Sequence, residues 1–362
     1  LKLNKFMSKE IKKIFLIALL SRFLVFITAI ISDFIIFKES IPWRSPLPFF
    51  KLFAVWDSSY YSHIAVHGYT ELIYWGFYPL YSLLVKVPYH ILSIFNVPDP
   101  AVISGFFISN ILFFPVVYYF YKLTKLFFEN EKISFISTIF FCFFPSSVFF
   151  SAVYSESIFL LLIVSSIYYI ERGDLKISVP LAILSGITRP VGFLIFIPFI
   201  YKFLKSRERK YFISSILIFF SPIIFFLYSY FNTGNLFIYF LSKSVYWQNK
   251  LSNPIGFIMD LEIINQITIL FSILLYLLSL KYFLRKKSLY PYLIYFTILF
   301  LIYLFSNSIP SFVRYSLTLL PIFWFMGKVS SKNKYVKFGF LLYCIIFLVI
   351  GTSMFVNWYY FI

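Results

Sequence analysis

Groups that can do acid–base chemistry are scarce in this chain, so a place where several gather is informative. The stretch "AVWDSSYYSHIAVHGY", residues 54–69, holds Asp57 directly after Trp56, followed by His63 and His67. A carboxylate in an aromatic setting beside a reacting hydroxyl can take that hydroxyl's proton, which makes Asp57 a candidate general base. The same residue fits the N-cap of a helix that stops at Gly68, with its carboxylate accepting from the amides of Ser59 or Tyr60. The two readings are compatible. His63 and His67 are four apart on one helix face, a spacing that zinc ligands use. No cysteine is near and no His-Glu-x-x-His pattern occurs, so no metal is expected. His67 is expected to pack or hydrogen-bond at the helix end.

A second stretch, "FPSSVFFSAVYSESIF", residues 144–159, concentrates serines around Tyr154, Ser155 and Glu156. One reading is a polar helical hairpin in which Ser155 caps the next helix. The other is a wall facing carbohydrate, because serine, tyrosine and glutamate all hydrogen-bond sugar hydroxyls. Arg189 in "ITRPVG" and Arg314 in "SIPSFVRYSLTLLP" each sit near the end of an apolar run. Such arginines either snorkel to the interface or bind an anion, and guanidinium suits a lipid phosphate. Arg22, inside the first apolar run, is expected to pair with a neighbouring helix.

These residues need a frame. The 362-residue chain is 61% hydrophobic and only 13% charged, against about 25% charged in a soluble domain. Apolar runs recur along its length, each able to span a hydrocarbon core of about 30 Å as a helix. The chain is therefore expected to be an all-α polytopic membrane protein. Alternating polarity of the β-barrel kind is absent. The net charge of +18 does not imply nucleic acid. Its lysines and arginines lie in short clusters between apolar runs, the positive-inside pattern. The clusters are Lys2 to Lys13, Lys122/Lys125/Lys132, Arg172/Lys176, Lys202 to Lys210, Lys281 to Lys287 and Lys328 to Lys337. All should face the cytoplasm. Cys142 and Cys344 lie in apolar segments and read as small core residues. The first apolar run, from Ile14 to about Phe37, is too long for a signal peptide and reads as a membrane span.

The charge map decides two ambiguous stretches. Residues 77–95 have Leu80, Leu83, Leu84, Val87, Ile91 and Leu92 on one face and Ser82, Lys86, Tyr89 and Ser93 on the other. That pattern predicts a helix lying in the interface, starting at Pro79, with a kink at Pro88. Residues 38–100 then form one long external loop. Residues 176–204 should break at "GITRPVG", keeping both basic flanks inside. About eleven spans follow, at 14–37, 101–121, 133–151, 156–171, 176–188, 190–204, 211–231, 261–280, 290–306, 314–327 and 338–360. The expectation is a single membrane domain over 1–362, with the loop at 38–100 and the rest of the bundle at 101–362. The N-terminus lies inside and the C-terminus outside.

"WDSSYYSHIAVHGY", "GFYPLYSLL", "PSSVFFSAVYSESIF", "ITRPVG" and "SFVRYSLTLLPIF" resemble, in this order, the motifs of the PIG-V-like mannosyltransferases (the GPI mannosyltransferase 2 family). The third is the most specific. The motifs cover about 50 to 320. The chain departs from the family's usual residues at Val66, Tyr78, Ser82 and Phe144. The eukaryotic members add the second mannose to GPI-anchor precursors. The resemblance implies a GT-C glycosyltransferase fold, with interfacial helices and an acidic catalytic residue on the first external loop.

It further implies a polyprenyl (dolichyl) phosphate mannose donor and a lipid-linked glycan acceptor, with no cofactor. On that basis Asp57 deprotonates the acceptor and the anomeric configuration inverts. Arg314 and Arg189 hold the donor phosphate. Trp56, Tyr61, His67, Tyr154, Ser155 and Glu156 contact substrate. Membrane lipids are the other expected partners, and a small membrane subunit is left open. The alternatives are a GT-C enzyme moving another sugar or using a protein acceptor, and a lipid flippase or transporter. The lysine- and tyrosine-rich composition points to an AT-rich prokaryotic genome and hence the plasma membrane. In a eukaryote the location would be the endoplasmic reticulum.

Overall fold

The computed structural model describes residues 9–35, 48–247, 253–305 and 311–359. The expectations that fall on Lys2, Lys5, residues 36–47 and the last residues of spans 290–306 and 338–360 lie outside that set. Among the described residues all regular structure is helical. In chain order the helices are α1 (Lys9–Ile35), α2 (Ser58–His67), α3 (Pro79–Ile94), α4 (Pro100–Phe128), α5 (Glu131–Phe143) and α6 (Glu156–Glu171). Then come α7 (Leu175–Thr188), α8 (Phe196–Ser206), α9 (Arg209–Phe219), α10 (Ile223–Thr233), α11 (Ile238–Trp247) and α12 (Pro254–Met259). The last are α13 (Ile263–Phe283), α14 (Tyr290–Phe305), α15 (Phe312–Tyr315), α16 (Leu320–Ser330) and α17 (Lys334–Val356).

Six stretches among the described residues are long and apolar enough to cross a membrane: Lys9–Ile35, Pro100–Phe128, Arg209–Thr233, Ile263–Phe283, Lys287–Phe305 and Lys334–Val356. The other expected spans are shorter or broken. The run 133–151 ends as a helix at Phe143 and continues as a 3-10 turn over Pro145–Phe150. The run 190–204 starts with a 3-10 turn over Pro190–Ile195. The run 314–327 is split between α15, a 3-10 turn and α16. Irregular backbone at such depth is tolerated only where protein surrounds it. Residues 144–155 meet that condition, being buried without exception.

Local chemistry explains where elements start. Proline occupies the first turn of α3, α4, α12 and α16, where its missing N–H costs nothing. Asn130, Asp174 and Asn333 cap α5, α7 and α17 through their side chains. The expected break between α7 and α8 is present, centred on Arg189. A side chain at Gly192 would meet the Ser185 carbonyl at 2.0 Å, so only glycine lets the two arms fold this closely.

The basic clusters converge on one end of the bundle. Lys125 at the end of α4 pairs with Glu10 of α1 at 3.0 Å and Glu131 of α5 at 2.6 Å. Glu171 at the end of α6 pairs with Lys202 of α8 at 2.9 Å and accepts from Tyr292 of α14. Lys286 donates to the Phe127 carbonyl. The opposite end gathers the start of α6, the end of α7 and α15.

Helix α3 differs in detail from its expected faces. Leu83, Val87, Ile91 and Ile94 are exposed, so one face of α3 is apolar and turned outward. Ser82, expected on the polar outer face, is buried instead and donates to the Tyr61 carbonyl at 3.0 Å. Tyr81 donates to the Gly105 carbonyl at 3.0 Å and meets Ser109 at 2.8 Å, fastening α3 to α4.

Candidate active site

The helix after the Trp-Asp pair runs from Ser58 to His67 and stops at Gly68, as its sequence requires. Asp57 occupies the N-cap position, but its carboxylate caps nothing. The Asp57 amide instead donates to the Tyr154 hydroxyl at 3.1 Å, and Tyr154 donates to the Val55 carbonyl at 3.4 Å. Trp56 holds a left-handed backbone, φ +57°. For a bulky residue that conformation costs on the order of 1–3 kcal/mol and persists only where its surroundings impose it. The Asp57 carboxylate turns to Arg314, with Oδ2 2.9 Å from Nη1.

A chain of alternating charges follows. The Arg314 Nε lies 3.4 Å from Oε1 of Glu156, and that same oxygen takes a close ion pair from Arg189. Arg189 Nε donates to Ser155 Oγ at 3.0 Å, and Ser155 Oγ meets the Tyr61 hydroxyl at 3.1 Å. Arg314 also donates from Nη2 to Tyr315 at 3.1 Å and Ser311 at 3.3 Å. Four elements far apart in sequence thus supply one network: the start of α2, the start of α6, the end of α7 and α15. Two carboxylates balance two guanidinium groups, which is how charges survive burial. Burial pushes the Tyr61 phenol up to about 12, so it keeps its proton and acts as a donor.

This network forms one wall of a cavity of about 990 Å³. Trp56, Asp57, Tyr61, Arg189 and Arg314 line it, with Phe77, Tyr303 and Trp358 among the aromatic side chains around them. Asp57 is its one lining carboxylate among the described residues. Glu156 is fully buried, whereas the Asp57 side chain is 28% exposed.

Three sequence expectations change here. Tyr154, Ser155 and Glu156 do not line the cavity and are fully buried. They stand one layer back, where Tyr154 holds the Asp57 backbone and the other two hold the arginines. Ser155 makes no cap bond to its helix. His67 is exposed and outside the cavity, with its ring 4.8 Å from that of His63. His63 hydrogen-bonds Thr70 at 2.8 Å and stacks on Tyr74 at 3.9 Å. No group of three or more His, Cys, Asp or Glu residues able to hold a metal occurs among the described residues.

Helix α11 supplies what the sequence reading missed. Tyr239, Phe240, Lys243, Ser244 and Trp247 all line the cavity. The signal was available, because Lys243 lies in the 232–260 connection on the side where basic residues are scarce. Arg189 and Arg314 stand out on the same ground. Arg22, in contrast, serves the scaffold. It donates to the Ser147 carbonyl at 2.7 Å, Ser151 Oγ at 2.9 Å and Ser147 Oγ at 3.0 Å, and packs 4.4 Å from the Phe113 ring.

The interrupted helical bundle has the GT-C glycosyltransferase fold. Two solved structures of an Archaeoglobus fulgidus oligosaccharyltransferase share it. One, in complex with zinc and sulfate, superposes with a TM-score of 0.54 at 12% identity, covering 91% of this chain and 53% of that one. The other, tethered to an acceptor peptide, gives 0.51 at 12% identity, covering 93% and 55%. At this identity the likeness concerns the fold. The family model described as Mannosyltransferase (PIG-V) matches residues 47–313, and the chain belongs to that family. GPI mannosyltransferase 2 of Drosophila pseudoobscura pseudoobscura is 34% identical over 124 residues, 33% of this chain and 27% of that protein. GPI mannosyltransferase 2 of Schizosaccharomyces pombe is 30% identical over 106 residues, 29% and 22% respectively. The matched stretch is thus about a quarter of the length of these curated relatives.

Proposed function

We propose that this protein transfers mannose from a polyprenyl-phosphate mannose to a lipid-linked glycan acceptor, with inversion at the anomeric carbon. The observation that carries the reading is Asp57, the one lining carboxylate among the described residues, set among cationic groups in a cavity large enough for a sugar and a phosphate. The polyprenyl phosphate released from this phosphodiester is a good leaving group and needs no acid at its departing oxygen. Glycoside hydrolases usually need two carboxylates because their leaving group is an alcohol oxygen that must be protonated. One base suffices here. Asp57 takes the proton of the acceptor hydroxyl as that oxygen attacks the anomeric carbon. The carbon–oxygen bond to phosphate breaks on the opposite face, and the departing phosphate carries the charge away.

Arg314 and Arg189 stabilise that growing charge and hold the network in register. Trp56 and Tyr61 offer ring faces and a hydroxyl to the sugar. The cavity lies away from the basic end of the bundle, and by the positive-inside rule it opens to the exterior or lumen. The donor's phosphate lies at that leaflet. The prokaryotic location in this reading is the plasma membrane.

The test is mannosyl transfer by purified Asp57→Asn with a short polyprenyl-phosphate mannose as donor. Turnover should collapse while the variant folds and binds donor. Near wild-type turnover would remove Asp57 from the chemistry. A hexose other than mannose transferred in preference by the wild type would overturn the donor assignment.

A further inference from the structure

The two arginines of the site are already engaged. Arg189 spends its charge on Glu156, and Arg314 divides its own between Asp57 and Glu156. An arriving phosphate therefore has to compete with fixed carboxylates for either guanidinium. Lys243 differs. Its ammonium sits in the same cavity, 3.9 Å above the Trp247 ring and 5.0 Å from that of Phe77. Among the described residues it has no hydrogen-bond or ion-pair partner. Two carboxylates against three cations leave the site with one surplus positive charge, the charge a phosphodiester neutralises.

The mounting of this lysine is specific. Phe240, Lys243, Ser244 and Trp247 recur at helical spacing, so one face of α11 is turned to the cavity. Gly76 fixes how close that face comes. A methyl group there would lie 2.9 Å from the Trp247 ring and 3.1 Å from Ser242 Oγ. Ser242 Oγ also donates to the Ile73 carbonyl at 3.3 Å. One turn before Lys243, Phe240 lines the cavity yet is 54% exposed, and Ile302 of α14 lines it at 37% exposure. Both are apolar and reach the outer surface, so the cavity edge they supply suits an isoprenoid chain.

The geometry points to Lys243 as the principal contact of the donor's phosphate, with the polyprenyl chain leaving between Phe240 and Ile302. This rests on the mannosyl-transfer reading and names the residue on which donor binding turns. Aromatic faces hold the ammonium in place without neutralising it. Burial also lowers the Lys243 pKa to about 8, partly offset by Asp57 and reinforced by Arg314 and Arg189. The free lysine is thus a reactive amine, and a bound phosphate should restore its proton.

Citronellyl-phosphoryl-mannose is titrated into the detergent-purified full chain as wild type, Lys243→Gln and Lys243→Arg, reading tryptophan quenching. Neutral octyl mannoside is the control. Loss of a charge-assisted hydrogen bond predicts at least about tenfold weaker binding for Lys243→Gln, with Lys243→Arg within about threefold of wild type. Octyl mannoside should not distinguish the three. Equal binding by Lys243→Gln and wild type overturns the assignment and leaves the transfer reading standing. Failure of wild type to bind the phosphate lipid overturns both. A second measurement needs no variant. Amine acylation of wild type at pH 8, mapped by mass spectrometry, should slow at Lys243 when the phosphate lipid is present and not with octyl mannoside. Unchanged labelling overturns the assignment.

Discussion

Arg22 and Arg314 are both buried guanidinium groups in an apolar bundle, 3% and 5% exposed. Arg22 in α1 faces neutral acceptors, the carbonyl and hydroxyl of Ser147, the hydroxyls of Ser151 and Ser21 and the Cys142 carbonyl. It pins the 3-10 turn Pro145–Phe150 and has no outlet to the cavity. Arg314 faces two carboxylates and lines the cavity. A charge surrounded by fixed dipoles holds a backbone in place, whereas a charge shared between carboxylates can respond when a further charge arrives. The two arginines are coupled through chain connectivity, because the turn held by Arg22 leads directly into Tyr154, Ser155 and Glu156.

That contrast can be broken at several points. The largest expected effect is at the exposed end of the charge chain. Asp57→Asn should lower mannosyl transfer by about 10²–10⁴-fold, measured as kcat with donor and acceptor saturating. Its thermal unfolding should stay close to wild type, and a collapse of both together would make Asp57 structural. Next comes the buried link. Glu156→Gln leaves two guanidinium groups facing each other without their shared counter-ion. It should cost about 3–5 kcal/mol of stability, read from thermal unfolding in detergent. A variant as stable as wild type would mean the chain is not coupled as described.

Arg22→Met should lose about 1–3 kcal/mol for each acceptor left unpaired, while folded protein keeps the wild-type donor KM. Arg314→Met should do the reverse, raising donor KM or lowering kcat. If the two variants behave alike, the distinction between them fails. A smaller effect is expected with pH. The cavity groups around Lys243 are Asp57, Tyr60 and Tyr61 of the α2 segment, Tyr78 just before α3, Arg189, Tyr239 of α11, Tyr303 of α14, and Arg314 and Tyr315 of α15. Burial raises the Tyr60 and Tyr61 phenols, so they stay neutral in this window. The ammonium form binds phosphate, so affinity should be flat below the lysine's pKa of about 8 and fall above it, by up to about tenfold per pH unit. Lys243→Arg should abolish that fall. The smallest effect belongs to His67→Ala, which touches no wall of the cavity and should leave kcat/KM within about twofold of wild type.

Much of the frame was legible in the sequence. The apolar runs, the basic clusters at one end, the break at "GITRPVG" and the helix stop at Gly68 follow from local chemistry: hydrocarbon thickness, charge, and proline and glycine geometry. The scarcity of carboxylates singled out Asp57 and Glu156, and the side of the bundle singled out Arg189 and Arg314. Periodicity over-read continuity, however. It carried spans through 144–151 and 316–319, where buried 3-10 turns interrupt the helices.

Depth within the site was another matter. Ser155 and Glu156 are polar enough to face a sugar, and nothing in their neighbourhood along the chain says that two arginines stand in front of them. Asp57 meets Arg314 across 257 positions of sequence, and Lys243 enters through a connection whose own pattern is only amphipathic. Composition, charge sidedness and turn chemistry act over a few residues, so the sequence alone determined the membrane class, the end of the bundle that carries the site and its scarce ionisable groups. Which of those groups face the cavity and which stand behind it was decided only when distant helices packed, because burial and charge pairing are properties of the assembled bundle.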